Sequence, residues 1–75
     1  MANKQELSEQ IVEAECEIAA MEQKRLRSQA ALLEAMLDKR EPDPRDAEYF
    51  KTISAIIKLE REKLKMLKEE LRLSE

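Results

Sequence analysis

The sequence predicts an all-α fold, an antiparallel two-helix hairpin that packs like a coiled coil. Its 75 residues include no Gly and two Pro, and both Pro lie between Arg40 and Asp46. Proline interrupts a helix and disfavours helical geometry in the residue before it, so this segment is the break in the chain. The flanking segments are rich in Glu, Lys, Leu, Ala and Met, which favour helix. Their apolar residues recur at alternating steps of three and four.

We expect one domain over residues 1–75, with the first helix at about 5–39, a turn at about 40–43 and the second helix at about 44–73. A linker this short makes the two helices antiparallel neighbours. A chain of this length buries only a modest share of its surface and usually needs a disulfide, a metal site or a partner in order to be stable.

The start of the second helix is the best-defined boundary. Asp43 can cap it, Pro44 suits the first helical position, and Asp46 is favoured by the helix dipole. Charge supports the antiparallel pairing, since residues 1–22 hold six acids and one base, and residues 58–72 hold six bases and four acids. Each exposed pair adds only about 0.2–1 kcal/mol, so charge selects the orientation and does not hold the fold together.

One apolar row in each helix, its first seam, is a candidate for the contact between the helices, although the sequence does not decide which seam closes the hairpin. The first seam of the first helix is Leu7, Ile11, Ala14, Ile18, Met21, Arg25, Ser28, Leu32 and Ala35. The first seam of the second helix is Phe50, Ile53, Ile57, Glu60, Leu64, Leu67 and Leu71. In an antiparallel register these seams match, with Arg25 and Glu60 one layer apart. Either this polar pair fixes the register or both side chains extend to solvent.

A second seam on each helix stays uncovered if the first seams meet. An exposed apolar strip of this kind marks an interaction site, so we expect these residues to bind a protein partner. The predicted partner-binding residues are Val12, Ala19, Leu26, Ala30, Leu33, Leu37, Ile56, Leu59 and Met66. The alternative is self-association of two hairpins into a four-helix bundle, and the sequence does not choose between them.

Composition argues against an enzyme. With no His, no Gly and one Cys, the chain has few groups for zinc binding, acid–base catalysis or a phosphate-binding loop. We therefore expect no catalytic residues, no metal site and no cofactor. The acidic balance of −3 argues against nucleic-acid binding, despite a short basic cluster at Lys24, Arg25 and Arg27.

Cys16 and Tyr49 each have two interpretations, and Phe50 has one. Cys16 lies in the second seam and is expected to be a small buried thiol, since no basic or metal-ligating neighbour supports a reactive one. Tyr49 and Phe50 are expected to plug the end of the hairpin, with a partner contact by Tyr49 as the alternative.

The location is expected to be cytoplasmic. The first nine residues are polar and contain no apolar core of a signal peptide. No apolar run approaches the roughly 20 residues that cross a bilayer, so no membrane span is expected.

The turn and the start of the second helix resemble one family. The segment Asp43-Pro44-Arg45-Asp46-Ala47-Glu48-Tyr49-Phe50, followed by Ile53, Ile56 and Ile57, is similar to the helical-hairpin co-chaperones of type III secretion needle subunits. The resemblance implies that the hairpin binds a tetratricopeptide-repeat chaperone. The pair would then keep the needle subunit monomeric in the cytoplasm, and no catalytic residues are implied.

Two other functions remain open. The first is a homodimeric four-helix bundle that regulates or binds RNA, which calls for a basic surface patch. The second is a purely structural coiled-coil segment, which the heptad spacing also suits.

Overall fold

The computed structural model describes residues 3–74, and over this range the chain is a hairpin of two helices. Helix α1 spans Lys4–Leu37 and helix α2 spans Pro44–Leu73. The helices pack side by side in a rod of 54 × 15 × 15 Å. The predicted all-α hairpin is therefore confirmed, and no strand occurs among the described residues.

Side-chain caps fix where each helix begins. The Asn3 side chain accepts a hydrogen bond of 2.8 Å from the Glu6 N–H. The Asp43 side chain accepts one of 2.8 Å from the Arg45 N–H, and Pro44 follows it in the first turn. Each cap satisfies an N–H group that has no partner within its helix. The cap predicted at Asp43 is confirmed.

Helix α1 ends two residues before the predicted position, and the connection covers residues 38–43. Lys39 takes a left-handed conformation with φ of 57°. The Lys39 N–H then bonds to the Met36 carbonyl at 3.0 Å, and the Arg40 N–H bonds to the Ala35 carbonyl at 2.9 Å. This is a Schellman motif, which usually has glycine at the left-handed position. The chain has no glycine, so a lysine takes that position.

We predict that Lys39→Gly stabilises the hairpin by about 0.5–1 kcal/mol, because glycine lacks the Cβ that crowds the left-handed conformation. Lys39→Ala is the matched control, since it shortens the side chain but keeps the Cβ. Urea denaturation followed by circular dichroism measures both variants. Equal stability of the two would contradict the role assigned to the backbone angle.

The first seams form the contact between the helices, a choice that the sequence left open. The buried hydrophobic residues of this contact are Leu7, Ile11, Ala14, Ile18, Ala35, Ile53 and Ile57. The other first-seam members, from Met21 in α1 to Leu71 in α2, are half-buried. This result settles which seam closes the hairpin.

Arg25 and Glu60 do not pair with each other. Both are half-buried, but Arg25 lies in a groove with Ser54 and Lys58, whereas Glu60 lies in one on the opposite side of the hairpin with Lys63. Among residues 3–74, the ion pair that crosses between the helices joins Arg61 to Glu22 at 2.9 Å. The Ser28 hydroxyl of α1 also donates a hydrogen bond of 3.4 Å to the Asp46 carbonyl of α2. The register therefore rests on apolar packing, on this hydrogen bond and on the exposed ion pair.

The two aromatic residues, Tyr49 and Phe50, differ in their exposure to solvent. Phe50 is half-buried against α1, as expected of a plug, but Tyr49 is 46% exposed. Cys16 is also exposed, so the expectation of a buried thiol is wrong for the single hairpin. Its position, two residues after Ala14 of the first seam, directs it to the back of α1, away from α2.

We predict that Ile57→Ala destabilises the hairpin by about 2–5 kcal/mol and largely unfolds it, because Ile57 is 1% exposed and few other residues are buried. Leu59→Ala is the matched control two residues away, where the side chain is 64% exposed. We expect the control to keep wild-type stability in dilute solution. Thermal denaturation followed by circular dichroism compares the two.

Candidate protein-binding surfaces

The nine predicted partner-binding residues are all exposed. Leu26 is 59% exposed and Met66 is 73% exposed, and the other seven fall in the same exposed class. These side chains lie outside the contact between the helices, so the folded hairpin leaves apolar surface in solvent.

The exposed apolar residues of the two helices lie on opposite faces. At about 100° per residue, a residue that directly follows a first-seam position lies on one side of the helix, and a residue that directly precedes one lies on the other. A twofold axis relates two antiparallel helices, so the residues that follow a seam position share one face in both helices. Val12 and Leu26 follow a seam position, whereas Ile56, Leu59 and Met66 precede one.

We call the face formed by the residues that directly follow a seam position the Arg61 face. It is the side on which Arg61 pairs with Glu22, in a shallow groove that Ala19 also lines. The predicted residues Val12, Ala19, Leu26 and Leu33 belong to it. Ala30 and Leu37 lie further round, on the back of α1.

We call the face formed by the residues that directly precede a seam position the Lys63 face. Gln10, Glu13 and Glu17 of α1 line a groove there with Glu60 and Lys63 of α2. Nearer the turn, a second groove on the same side is lined by residues of both helices, among them Lys24, Arg27, Ala31 and Tyr49. The predicted residues Ile56, Leu59 and Met66 belong to this face, so the structure divides the nine predicted residues into separate groups.

The Arg61 face also carries a row of cations that we call the basic ridge. Its members follow seam positions along nearly all of α2, and all of them are exposed: Lys51, Lys58, Arg61, Lys65, Lys68 and Arg72. Two of them pair with acids, Arg61 with Glu22 and Arg72 with Glu69. The hydrogen bond to Glu69 raises the pKa of Arg72 above its ordinary value, and the guanidinium stays charged.

The four lysines of the basic ridge have no ion-pair partner within residues 3–74. The Arg61 face therefore combines a positive edge on α2 with exposed apolar residues on α1, which alternate with the polar Glu15, Glu22 and Gln29. The sequence interpretation compared the charge of whole segments and missed this ridge. The signal was present, since the cations repeat at the same three- and four-residue steps as the apolar seam.

Other kinds of site find little support. The part of the chain that the structure describes contains no cluster of three or more His, Cys, Asp or Glu side chains that could hold a metal ion. Neither α1 nor α2 is long and apolar enough to cross a membrane. The sequence matches no protein-family model, and no curated protein or solved structure is significantly similar to it.

Proposed function

We propose that this protein is a non-enzymatic protein-binding module, a cytoplasmic co-chaperone that stabilises a tetratricopeptide-repeat chaperone together with its type III secretion needle subunit. The observation that carries the proposal is the Arg61 face, where exposed apolar residues of α1 share one side of the hairpin with the basic ridge of α2. The resemblance of the turn and of the following segment of α2 to the needle co-chaperones supplies the identity of the partner.

Burial of the apolar strip supplies the driving force. Val12, Leu26 and Leu33 are each at least half exposed in the hairpin. Covering a side chain of this kind contributes about 1.5–3 kcal/mol. The strip also contains Ala19, whose small side chain lets a second helix approach closely. A partner that covers this strip stabilises the hairpin by mass action, and the hairpin stabilises the partner in return.

The basic ridge specifies the charge of the partner. A helix that packs on the apolar strip has one edge beside the unpaired Lys58, Lys65 and Lys68, so acidic residues along that edge complement the surface. Charge complementarity of this kind raises the rate of association and disfavours partners that carry the wrong charge. The repeat chaperone should therefore present an amphipathic helix with an acidic edge.

The basic ridge also gives some weight to a second function, a regulator that binds RNA. Six cations in one row could contact phosphates. Single-stranded RNA, however, is bound largely by stacking on aromatic side chains, and Tyr49 lies on the opposite face. The apolar strip beside the ridge has no role in contacting phosphates, so a protein helix accounts for more of the surface.

We predict that Leu26→Asp abolishes binding of the partner, because it places a charge in the middle of the apolar strip. The chain is co-expressed with the products of its flanking genes, and the complex is recovered by affinity purification. Leu59→Asp, on the Lys63 face, is the matched control and should leave this complex intact. Circular dichroism must show that both variants remain helical.

We also predict that the double variant Lys65→Glu/Lys68→Glu weakens the same complex by about tenfold or more at low salt. The reason is that it reverses the centre of the basic ridge. Lys63→Glu is the control, since it reverses a lysine on the opposite face of the same helix. Affinity is measured by titration calorimetry at two salt concentrations. Loss of RNA binding, with the protein complex unchanged, would favour the second function.

A further inference from the structure

The side of α1 that faces away from α2 carries an uncharged row of residues. This row, the second seam of α1, runs from Val12 to Leu37 in alternating steps of four and three residues, and Gln23 is its one polar side chain apart from the Cys16 thiol. It lies roughly 150° round the helix from the first seam. All eight of its residues are exposed, and Leu37 is 83% exposed. The spacing is that of a coiled-coil seam, so one further helix can pack along it.

The back of α2 has a different character. The residues at the same offsets from its first seam, taken from Lys51 to Arg72, are all charged apart from Ala55. Burying charges without partners is costly, whereas burying the second seam of α1 removes only apolar groups and one amide from water. A further helix therefore finds a dry contact on the back of α1 and none on the back of α2.

The charges of α1 are complementary to those of a second α1 that runs in the opposite direction. Residues 1–22 hold six acids and one base, whereas residues 23–40 hold five bases and two acids. α1 is therefore acidic toward the open end of the hairpin and basic toward the turn. When two copies lie side by side and antiparallel, the acidic half of each lies along the basic half of the other, and this arrangement is attractive. A parallel pair would bring like halves together.

The antiparallel direction also pairs every member of the second seam with another member. The centre of the row lies between positions 24 and 25, and residues at equal distances on either side of it meet across the contact. A row with this alternation always pairs in this way, and here the consequence is that no charged residue enters the contact. Two alanines oppose each other, which lets the helices approach closely. The pairs are Val12 with Leu37, Cys16 with Leu33, Ala19 with Ala30, and Gln23 with Leu26.

We propose that a second copy of this chain docks along the second seam of α1, so that the two α1 helices form an antiparallel coiled coil. The twofold axis passes between the α1 helices at the level of positions 24 and 25, and it has to relate only α1 to its copy. α2 packs on the opposite side of α1 and takes no part in the contact. The four helices therefore form a row in the order α2, α1, α1, α2.

The apolar content of this contact is comparable with that of the contact that closes the hairpin. At 1.5 Å per residue the second seam is about 38 Å long. Each copy covers four large apolar side chains of the other, so eight are covered, against seven buried hydrophobic residues within residues 3–74 of one hairpin. One flank brings Glu13 near Glu34 of the second copy, but both are exposed, so solvent screens the repulsion. Dimerisation therefore adds about as much apolar packing as the fold itself contains.

This inference does not depend on the function proposed above. A second copy and a partner helix would use the same apolar residues of α1, Leu26 and Leu33 among them, so α1 holds one or the other. The homodimer is then the state of the free chain, and a partner has to displace the second copy. The variant Lys65→Glu/Lys68→Glu separates the two proposals, because the basic ridge lies outside the contact between the α1 helices. This variant should keep the wild-type dissociation constant of the dimer.

Sedimentation equilibrium of the purified full chain tests the proposal first. We expect a mass twice the 8.8 kDa of one chain. Leu26→Asp, near the centre of the contact, should sediment as a monomer, whereas Leu59→Asp, which is comparably exposed on α2, should remain a dimer. Circular dichroism checks that both variants are helical. A wild-type monomer at millimolar concentration would overturn the proposal, and so would a dimer that Leu26→Asp leaves intact.

The dependence of dimerisation on sodium chloride tests the direction of the two helices. In the antiparallel pair the acidic and basic halves attract each other, so added salt should raise the dissociation constant several-fold. In a parallel pair the like halves repel each other, and added salt would lower the dissociation constant. Sedimentation equilibrium of the wild-type chain at low and high salt measures the change. A dimer that tightens as salt is added is not the one proposed.

Cross-linking through the native thiol gives a readout that does not require loss of folding. In the antiparallel pair the two Cys16 thiols lie about 26 Å apart along the helices, so a short bis-maleimide reagent should not join two wild-type chains. Leu33→Cys places a thiol opposite Cys16 of the second copy, and the same reagent should then join the chains. The control Cys16→Ser/Leu33→Cys should stay unlinked, because its two thiols are again far apart. Linked wild-type chains, or unlinked Leu33→Cys chains, would overturn the proposed axis.

Discussion

The contact between the first seams of α1 and α2 is the constraint on which the rest of the molecule depends. Ile18 and Ile57 are nearly inaccessible within it, and the antiparallel direction follows from the short connection at residues 38–43. Once these seams meet, the rotation of each helix about its own axis is fixed. Every residue beside the seam is then assigned to one face or the other.

That assignment gives the hairpin two broad faces of different chemistry. On the Arg61 face, the apolar residues belong to α1 and the unpaired cations belong to α2. On the Lys63 face, the apolar residues belong to α2, and α1 contributes acids near the open end and bases near the middle.

The hairpin by itself buries little apolar surface. Among residues 3–74, seven hydrophobic residues are buried, and the middle of the α1 seam contains the polar residues Arg25 and Ser28. The helix ends are well capped by Asn3 and Asp43, but the turn places Lys39 in a conformation that glycine would adopt more easily. Association stabilises such a chain because it adds buried apolar surface that the two helices cannot supply alone.

The sequence by itself determined the two helices, the cap at Asp43, the antiparallel direction and the residues of the first seam. These features follow from local propensity and from three- and four-residue spacing, which act over a few turns of helix. Only the tertiary structure decided that Leu26 and Leu59 lie on opposite faces, that Arg25 and Glu60 do not pair, and that Cys16 faces outward. Each depends on how one helix is rotated against the other and on which residues stand at the same level, and a linear pattern does not contain that information.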